Sequence, residues 1–310
     1  MKTLVGLDAL EPAPTGSAVT IGTFDGLHIG HRALVTRTLE AARGGLGSTV
    51  LTWDRHPFST LRPDRVPLLL SSQRRKIELI ESAGVDVCAV LAFDRELSTW
   101  PPERFAAEVL ATRLGARKVV VGDGWRFGHR AAGDVGLLRR LGEELNFEVD
   151  AVDLASAGGE VVSSTKVRAA VAAGDMDLAA GLLGRYFDID GEVVQGDRRG
   201  TAIGYPTANL GVDPALVCPA MGVYAGKAFA RGAWHPAAIN VGVNPTFGGD
   251  PTTTPVQIEA YLLDFDGDLY GTELRVEFWR RLRDELRFDS VDELVAKIAE
   301  DVQATRALTC

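Results

Sequence analysis

Short β-branched runs alternate with amphipathic stretches of helical period through the first half of the chain, and this order restricts the fold more than any other feature. We predict strands at Ser17–Thr20, Thr49–Trp53, Val85–Phe93, Lys118–Val121 and Glu148–Val152. Strands that alternate with helices form crossover units, which indicates an α/β fold with a mostly parallel sheet covered on both faces. Such sheets bind ligands at the carboxyl ends of their strands.

Two stretches between these runs have the features of helices. One covers His31–Arg43 and is stopped by the pair Gly44–Gly45. The residues of this helix expected to face inward are Leu34, Val35, Leu39 and Ala42. The other helix begins at Pro101–Pro102 and ends near Leu114–Gly115. We expect both helices to cover the sheet.

The pattern changes near residue 163. One helix is predicted to open at Ser163–Thr165 and end at Gly174, and a second to follow Asp175 and end at Gly184, so that a helical pair closes the first domain. Short apolar runs separated by Gly, Pro, Asn and Asp come next, which indicates an antiparallel barrel or sandwich. These runs are Gly191–Val194, Gly222–Phe229, Ala237–Val241, Val256–Phe265 and Glu273–Trp279.

A last helix is predicted at the end of the chain. Ser290 and Glu293 have the spacing of a capping box, in which each side chain accepts a hydrogen bond from the other residue's backbone N–H. One apolar stripe follows on this helix, formed by Val291, Leu294, Val295, Ile298 and Val302.

Charge and cysteine content argue against several classes of protein. The 310 residues carry a net charge of -9, which repels nucleic acid and anionic membranes, so we expect neither as a partner. No apolar run approaches the ~18 residues of a membrane span, and none resembles a signal peptide. Cys88, Cys218 and Cys310 lie far apart, without the spacing of a disulfide framework or a cysteine-rich zinc site. We therefore expect a cytoplasmic protein with small-molecule partners, and a homo-oligomer is left open.

The segment GTFDGLHIGH, from Gly22 to His31, joins the first predicted strand to a helix. Its glycines let the backbone approach a phosphate, the helix start offers free amides, and His28 and His31 can point at the same anion. This combination suits the stabilisation of charge on a phosphoryl group under attack. Two other interpretations compete, a helix cap and a pair of zinc ligands, and the absence of HExxH spacing disfavours zinc.

A second anion-binding helix start is VSSTKVR, from Val162 to Arg168, which places hydroxyls, free amides and two cations within one turn. In isolation such a segment is more often an N-cap with solvated charges. Because it accompanies the first motif, phosphate binding becomes the favoured interpretation.

The second half contains a basic loop bounded by glycines and then a short PTAN, from Gly196 to Leu210. This is not a Walker A loop, yet its backbone can cover ATP. The Thr207 hydroxyl and the Asn209 amide oxygen are hard ligands suited to Mg²⁺. The competing interpretation is a hairpin loop with a proline turn.

Glu259 lies in the alternating run QIEAYL, on the same side as Tyr261 and opposite to Ile258 and Leu262. A carboxylate fixed on a strand can accept the proton of a substrate hydroxyl as that hydroxyl attacks a γ-phosphate. Most strand glutamates are simply solvated, so Glu259 gains interest only from the motifs that accompany it.

Seven motifs occur in one order over residues 17–302: GTFDGLHIGH, SSTKVR, GDRRGTAIGYPTANL, GVYAG, NVGVNPTFGG, IEAYLLDFDGDLYG and LRDELRFDS. The chain resembles the bacterial bifunctional riboflavin kinase/FMN adenylyltransferase family over nearly its whole length. The resemblance implies a Rossmann-like HxGH nucleotidyltransferase domain at 1–184 and an antiparallel β-barrel flavokinase domain with a C-terminal helix at 185–310. It also implies two ATP- and Mg²⁺-dependent steps, riboflavin to FMN and then FMN to FAD with release of pyrophosphate.

The resemblance assigns residues to these steps. His28 and His31 would stabilise the transferring adenylyl group, and Glu259 would be the base of the kinase. The other nucleotide-binding positions of the adenylyltransferase would be Gly22, Phe24, Asp25, Gly30, Ser164, Thr165 and Arg168. Those of the kinase would be Gly196, Gly200, Gly204, Pro206, Thr207 and Asn209, with Mg²⁺ on Thr207 and Asn209.

Two positions depart from the family pattern, both in the first domain. Gly124 stands where the family usually has Asp or Asn, and the side chain of Asp123 would point the opposite way on an extended segment. Arg55 stands where a proline usually precedes the pair His56–Pro57. These changes leave one alternative open, a riboflavin kinase whose N-terminal domain has weak or altered nucleotidyltransferase activity.

Overall fold

The computed structural model of the chain describes residues 1–153, 156–157, 160–196, 200, 203–243 and 256–309. The chain forms two compact units. One comprises Met1–Pro67 and Gln73–Ser163, and the other comprises Leu68–Ser72 and Ser164–Cys310. The boundary at 184/185 between the two expected activities stays a prediction, because compactness does not show which residues each activity requires.

The first unit contains a six-stranded parallel sheet in the order β1-β4-β3-β2-β5-β6. The strands are β1 Lys2–Val5, β2 Ser17–Ile21, β3 Gly47–Trp53, β4 Val87–Leu91, β5 Ala116–Gly122 and β6 Glu148–Val152. The five predicted strands are confirmed, and the edge strand β1 is an addition. Since β3 and β5 lie on opposite sides of β2, the loop after β2 lies at the switch point where such sheets bind ligands.

Helices connect these strands. They are α1 Ile29–Ala42, α2 Phe58–Leu61, α3 Gln73–Ser82, α4 Pro102–Phe105, which continues as a π-helix over Ala106–Arg113, and α5 Val135–Leu145. Short 3₁₀ turns cover Leu7–Ala9, Asp25–Leu27, Pro63–Arg65, Leu97–Thr99 and His129–Ala131, and a small hairpin pairs β7 Ser156–Ala157 with β8 Glu160–Val161. Both predicted helices are confirmed, with Leu39 and Ala42 of α1 only partly buried.

Two apolar clusters cover the two faces of this sheet. Val50 and Leu51, which are neighbours on β3 and wholly buried, belong to different clusters. Phe24, Leu27, Val35, Leu79 and Ile80 share the cluster of Val50, so α1, α3 and the Asp25–Leu27 turn pack on one face. Because both faces are filled, polar chemistry in this unit is restricted to the ends of the strands.

The second unit is built around a closed six-stranded antiparallel barrel in the order β10-β13-β12-β11-β14-β9. The strands are β9 Phe187–Val194, β10 Ala208–Gly211, β11 Gly222–Ala230, β12 Ala233–Val243, β13 Val256–Leu262 and β14 Glu273–Arg283. Strand β9 pairs with both β10 and β14 and thereby closes the barrel. The expected antiparallel barrel is confirmed, while the short β10 is an addition.

A helical pair, α6 Ser164–Ala173 and α7 Met176–Leu183, precedes the barrel as predicted. Asp175 caps α7 by accepting the Leu178 N–H at 3.0 Å, and Gly184 ends it in the left-handed region at φ 67°. The structure differs from the expectation in where the pair packs, since α7 lies against β9 and β14 within the second unit. None of the helices in the described part of the chain is long and apolar enough to cross a membrane.

One segment of the second unit comes from early in the chain. The Leu69 N–H donates to the carbonyl of Ala215 at 2.7 Å, and the Val217 N–H donates to the carbonyl of Leu69 at 2.8 Å. The Ser72 hydroxyl donates to the carboxylate of Asp190 at 3.1 Å. Leu68–Ser72 therefore completes the second unit by backbone pairing.

The terminal helix α8, Val291–Thr309, differs from its prediction in two respects. The Ser290 hydroxyl accepts the Glu293 N–H at 3.2 Å, but the Glu293 carboxylate accepts from the N–H of Asp289 rather than of Ser290, so half of the capping box forms. The predicted stripe is at most partly buried, and its first residue, Val291, is 60% exposed. The buried positions of α8 are instead Asp301, Thr305 and Thr309.

An ion pair explains the burial of Asp301. Its carboxylate accepts from Nε of Arg283 at 3.0 and 3.1 Å and from Nη2 at 2.7 Å, and both side chains are largely buried. Asp301→Ala should lower the free energy of unfolding of the second unit by roughly 3–5 kcal/mol, because it leaves the guanidinium buried without its partner. Urea unfolding of the full chain measures this loss.

The matched control is Glu300→Ala, which removes an exposed carboxylate of α8 that accepts from Lys297 at 2.7 Å. We expect this change to move the unfolding midpoint little, since exposed pairs contribute little. Equal shifts for the two variants would contradict the stabilising role of the Arg283–Asp301 pair.

Candidate active sites

His28 and His31 lie at the start of α1, in the loop after β2. His28 is the N-cap of α1, and its Nδ1 accepts the His31 N–H at 3.3 Å. The two rings are stacked with their centroids 3.6 Å apart and 15° between their planes, and His28 is 4% exposed. The helix-cap interpretation is thus confirmed for His28, and the cap holds both rings side by side. Among the described residues, no cluster of three or more His, Cys, Asp or Glu side chains is placed to hold a metal ion.

The predicted loop residues pack tightly around this pair. Phe24 is wholly buried in a left-handed conformation at φ 48°, and its ring meets the edge of His31 with centroids 5.2 Å apart. A Cβ at Gly22 would lie 3.2 Å from the Phe24 ring, and one at Gly30 would lie 3.3 Å from the His28 ring. Glycine at these positions therefore lets the rings close on the backbone.

The predicted phosphate-binding residues of the motif VSSTKVR, Ser164, Thr165 and Arg168, lie in the second unit. Ser164 and Thr165 form the first turn of α6, and Arg168 follows one turn later. Nε of Arg168 donates to the carbonyl of Leu68 at 2.6 Å. That these side chains hold ATP phosphates stays a prediction.

Glu259 lies at the centre of a polar row on three adjacent strands of the barrel. It is opposite Asn209 of β10 and opposite Asn240 of β12. Directly opposed residues of antiparallel strands point to the same face, so the three side chains form one row. Ile258 and Ala260, the neighbours of Glu259, are wholly buried. The row therefore lies on the outer face, as the alternation along this run predicts.

Thr207, the residue directly before β10, also belongs to this row. Its hydroxyl donates to Oε2 of Glu259 at 3.4 Å, while Asn209 lies opposite Glu259 in the strand register. The structure thus brings together the predicted base and both predicted metal ligands of the kinase half, Glu259, Thr207 and Asn209. A hydroxyl, an amide oxygen and a carboxylate are the hard oxygen donors that suit Mg²⁺, so the residues present fit this ion.

The glycine loop closes against the same row. A Cβ at Gly196 would collide with the side chain of Asn209, and one at Gly200 would collide with the carbonyl of Tyr205. The Tyr205 N–H donates to the carbonyl of Gly200 at 2.8 Å, and Gly204 has a φ of 87°, so this turn brings Pro206 and Thr207 to β10. The basic side chains of this loop, Arg198 and Arg199, lie outside the described residues, as do Asp197 and residues 201–202.

Two polar neighbours of this site were not predicted, Asn240 and Glu285. The Glu285 carboxylate lies against Gly242, where any Cβ would collide with it, and Gly242 shares a face with Asn240. Burial raises the pKa of Glu285. The alternation of the predicted strand at 237–241 indicates only that Asn240 faces outward, because its position opposite Glu259 depends on which strands pair.

Comparison with known proteins covers both units. The family model of FAD synthetase matches residues 10–166, and that of riboflavin kinase matches residues 183–309. The bifunctional riboflavin kinase/FMN adenylyltransferase of Escherichia coli (strain K12) is 37% identical over 99% of this chain and 97% of its own length. The chain belongs to this family. A family member from Pseudomonas fluorescens is 38% identical, over 99% of this chain and 98% of its own length.

A solved structure gives the same result for the fold. The crystal structure of a protein described as a macrolide-efflux protein from Streptococcus pneumoniae aligns with a TM-score of 0.88 and 29% identity over 99% of both chains. The alignment therefore covers both the parallel sheet and the barrel of this chain. The described efflux role is that protein's own.

Gly200→Ala tests whether the turn before Thr207 must keep its shape. The added methyl group meets the Tyr205 carbonyl, which cannot move without the backbone. Riboflavin kinase activity should fall by about 10²-fold, the loss typical of a displacement near 1 Å. FAD formation from supplied FMN should not change.

Gly181→Ala is the matched control, because a Cβ there, on α7, would have nothing within 4 Å. This variant should keep both activities. Full kinase activity in Gly200→Ala would show that the turn is not required.

Proposed function

We propose that this chain makes FAD in two steps at two separate sites, riboflavin to FMN on the barrel and FMN to FAD on the parallel sheet. One family model matches each half, which supports two activities rather than a kinase with an altered first domain. The observation that carries the site assignment is the contact between Thr207 and Glu259 beside Asn209. We assign the kinase to 185–310 and the adenylyltransferase to 1–184.

In the kinase step, Glu259 accepts the proton of the ribityl 5′-hydroxyl as that oxygen attacks the γ-phosphate of ATP. The Thr207 hydroxyl orients the carboxylate through its hydrogen bond. Thr207 and Asn209 would hold Mg²⁺, which neutralises charge on the nucleotide phosphates when bound. The backbone of Gly196, Gly200 and Gly204, with Pro206, covers the nucleotide.

In the adenylyl transfer step, a phosphate oxygen of FMN attacks the α-phosphate of ATP and pyrophosphate leaves. The stacked rings of His28 and His31 stabilise the charge on the transferring group. The Gly22–Gly30 loop, including Phe24 and Asp25, surrounds the nucleotide, and Ser164, Thr165 and Arg168 hold its phosphates. Positioning and charge stabilisation are sufficient, so no covalent enzyme intermediate is required.

We propose a cytoplasmic location and small-molecule partners. The net charge of -9 disfavours nucleic acid and anionic membrane surfaces. Cys88 is a buried free thiol, and burial raises its pKa to about 11, while burial also raises the pKa of the free thiol of Cys218. Such thiols are poor nucleophiles, which suits a reducing compartment and a mechanism without cysteine chemistry.

A pair of variants tests whether the two reactions use separate catalytic residues. His31→Ala should lower FAD formation by about 10²–10³-fold, because it removes one preorganised stabiliser of transition-state charge, and should leave FMN formation near the parent rate. Glu259→Gln keeps the shape of the side chain but cannot accept the proton, so it should abolish riboflavin phosphorylation and leave FAD formation from FMN intact. Both variants are assayed with both substrates. Parent kinase activity in Glu259→Gln, or loss of both steps in a folded His31→Ala, would contradict the assignment.

Gly124→Asn tests the departure from the family pattern. Gly124 follows the carboxyl end of β5, the neighbour of β2, and nothing lies within 4 Å of a Cβ built there. The Asp123 carboxylate already accepts the Gly124 N–H at 2.8 Å. Asparagine should therefore fit, add the missing polar group and raise kcat/KM for FMN.

Gly124→Ala, which adds only the Cβ, is the control for Gly124→Asn and should keep the parent kcat/KM. An equal response of the two variants would exclude the polar group as the cause.

A further inference from the structure

A lysine is buried behind the histidine loop of the first unit. Lys76, on α3, is 8% exposed, and its Nζ donates to the carbonyl of Trp53, the last residue of β3, at 2.7 Å. Lysine is almost never fully buried unless it is paired, because its ammonium loses hydration there. The position of Lys76 therefore needs a specific partner.

Three ionisable groups lie close enough to Lys76 to raise the pKa of its ammonium, against the effect of burial. They are Asp25 in the turn after β2, Asp54 after β3, and Cys88 on β4. Asp25 is itself 5% exposed, and α3 packs against the Asp25–Leu27 turn. Lys76 thus supplies positive charge to a buried carboxylate in the loop that carries both histidines.

The Asp25 turn is linked to His31 through Phe24. The Leu27 N–H donates to the carbonyl of Phe24 at 3.2 Å, and the Phe24 ring meets the His31 ring. Phe24 also belongs to the same apolar cluster as Ile80 of α3. A displaced turn would therefore displace the ring that contacts His31.

We propose that Lys76 is a positioning residue for adenylyl transfer, which holds the Asp25 turn against the end of β3 and thereby fixes the His31 ring. This role rests on the function proposed above for His28 and His31. Lys76 acts through the turn rather than by contact with substrate.

The role has a signature in the pH profile. Burial lowers the pKa of Lys76 to about 8, against the opposing influence of Asp25, Cys88 and Asp54. The ammonium is present below this pH and is lost as the pH rises through it. Because kcat/KM reports groups of the free enzyme, kcat/KM for FMN in FAD formation should fall above about pH 8.

The test uses Lys76→Met, which keeps the length of the side chain without its charge, and Lys76→Arg, which stays charged over the whole assay range. In the full chain, Lys76→Met should lower kcat for FAD formation by about 10²-fold with little change in KM for ATP, and should lack the fall above pH 8. Lys76→Arg should keep more activity and also lack that fall.

The control is Lys118→Met, at a partly exposed lysine on β5 that pairs with Glu148, and this variant should behave as the parent. FMN formation should be the same in all of these variants.

Parent-like FAD formation in Lys76→Met would overturn the proposal. A fall of kcat/KM for FMN that persists near pH 8 in Lys76→Arg would also overturn it. If Lys76→Met does not fold, the pH profile of Lys76→Arg alone tests the proposal. His31→Ala distinguishes a failure of the role proposed for His31 from a failure of the role proposed for Lys76. Parent activity in His31→Ala would refute the proposed role of the histidine, whereas an impaired His31→Ala beside a normal Lys76→Met would refute only the positioning role.

Discussion

A closed barrel must bury every second side chain of its strands, and this requirement determines where the residues proposed for the kinase step lie. Ile258 and Ala260 fill the interior, so Glu259 between them is forced onto the outer face. Asn209 and Asn240 reach it from the neighbouring strands because the register sets them opposite. A slip of one residue would bury the carboxylate and expose its apolar neighbours, so the same burial that stabilises the barrel also holds the site in register.

The parallel sheet meets a different constraint. Apolar clusters cover both of its faces, as the opposite directions of Val50 and Leu51 show. Its strands therefore have no solvent-exposed face on which functional side chains could lie. Functional groups must therefore come from the strand ends and the helices above them. His28 and His31 come from the end of β2, and Lys76 reaches the end of β3 from α3. The proposed kinase residues thus lie on the outer face of the barrel, while the proposed adenylyltransferase histidines lie at the carboxyl end of a strand of the sheet.

Local patterns predicted much of this arrangement. The five inner and edge strands after residue 16, the loop from Gly22 to His31 and the outward direction of Glu259 depend on neighbours in sequence. The partners of Asn240 and Lys76 could not be predicted in this way, because strand pairing and helix packing determine them. Asp301 shows the same limit on α8, where a buried ion pair with Arg283 replaces the expected apolar contact. The sequence indicates which side chains can be buried, but only tertiary structure shows which polar groups have partners there.

The pairing of Leu69 with Ala215 and Val217 has a consequence for the order of events during synthesis. Leu68–Ser72 emerges from the ribosome with the first unit, but the partners of Leu69 follow about 150 residues later, roughly 7–30 s at usual elongation rates. The first unit can therefore fold while this segment still lacks its hydrogen-bond partners. A stalled or truncated chain would leave Leu68–Ser72 without these partners, so its backbone would be open to chaperones and proteases during translation.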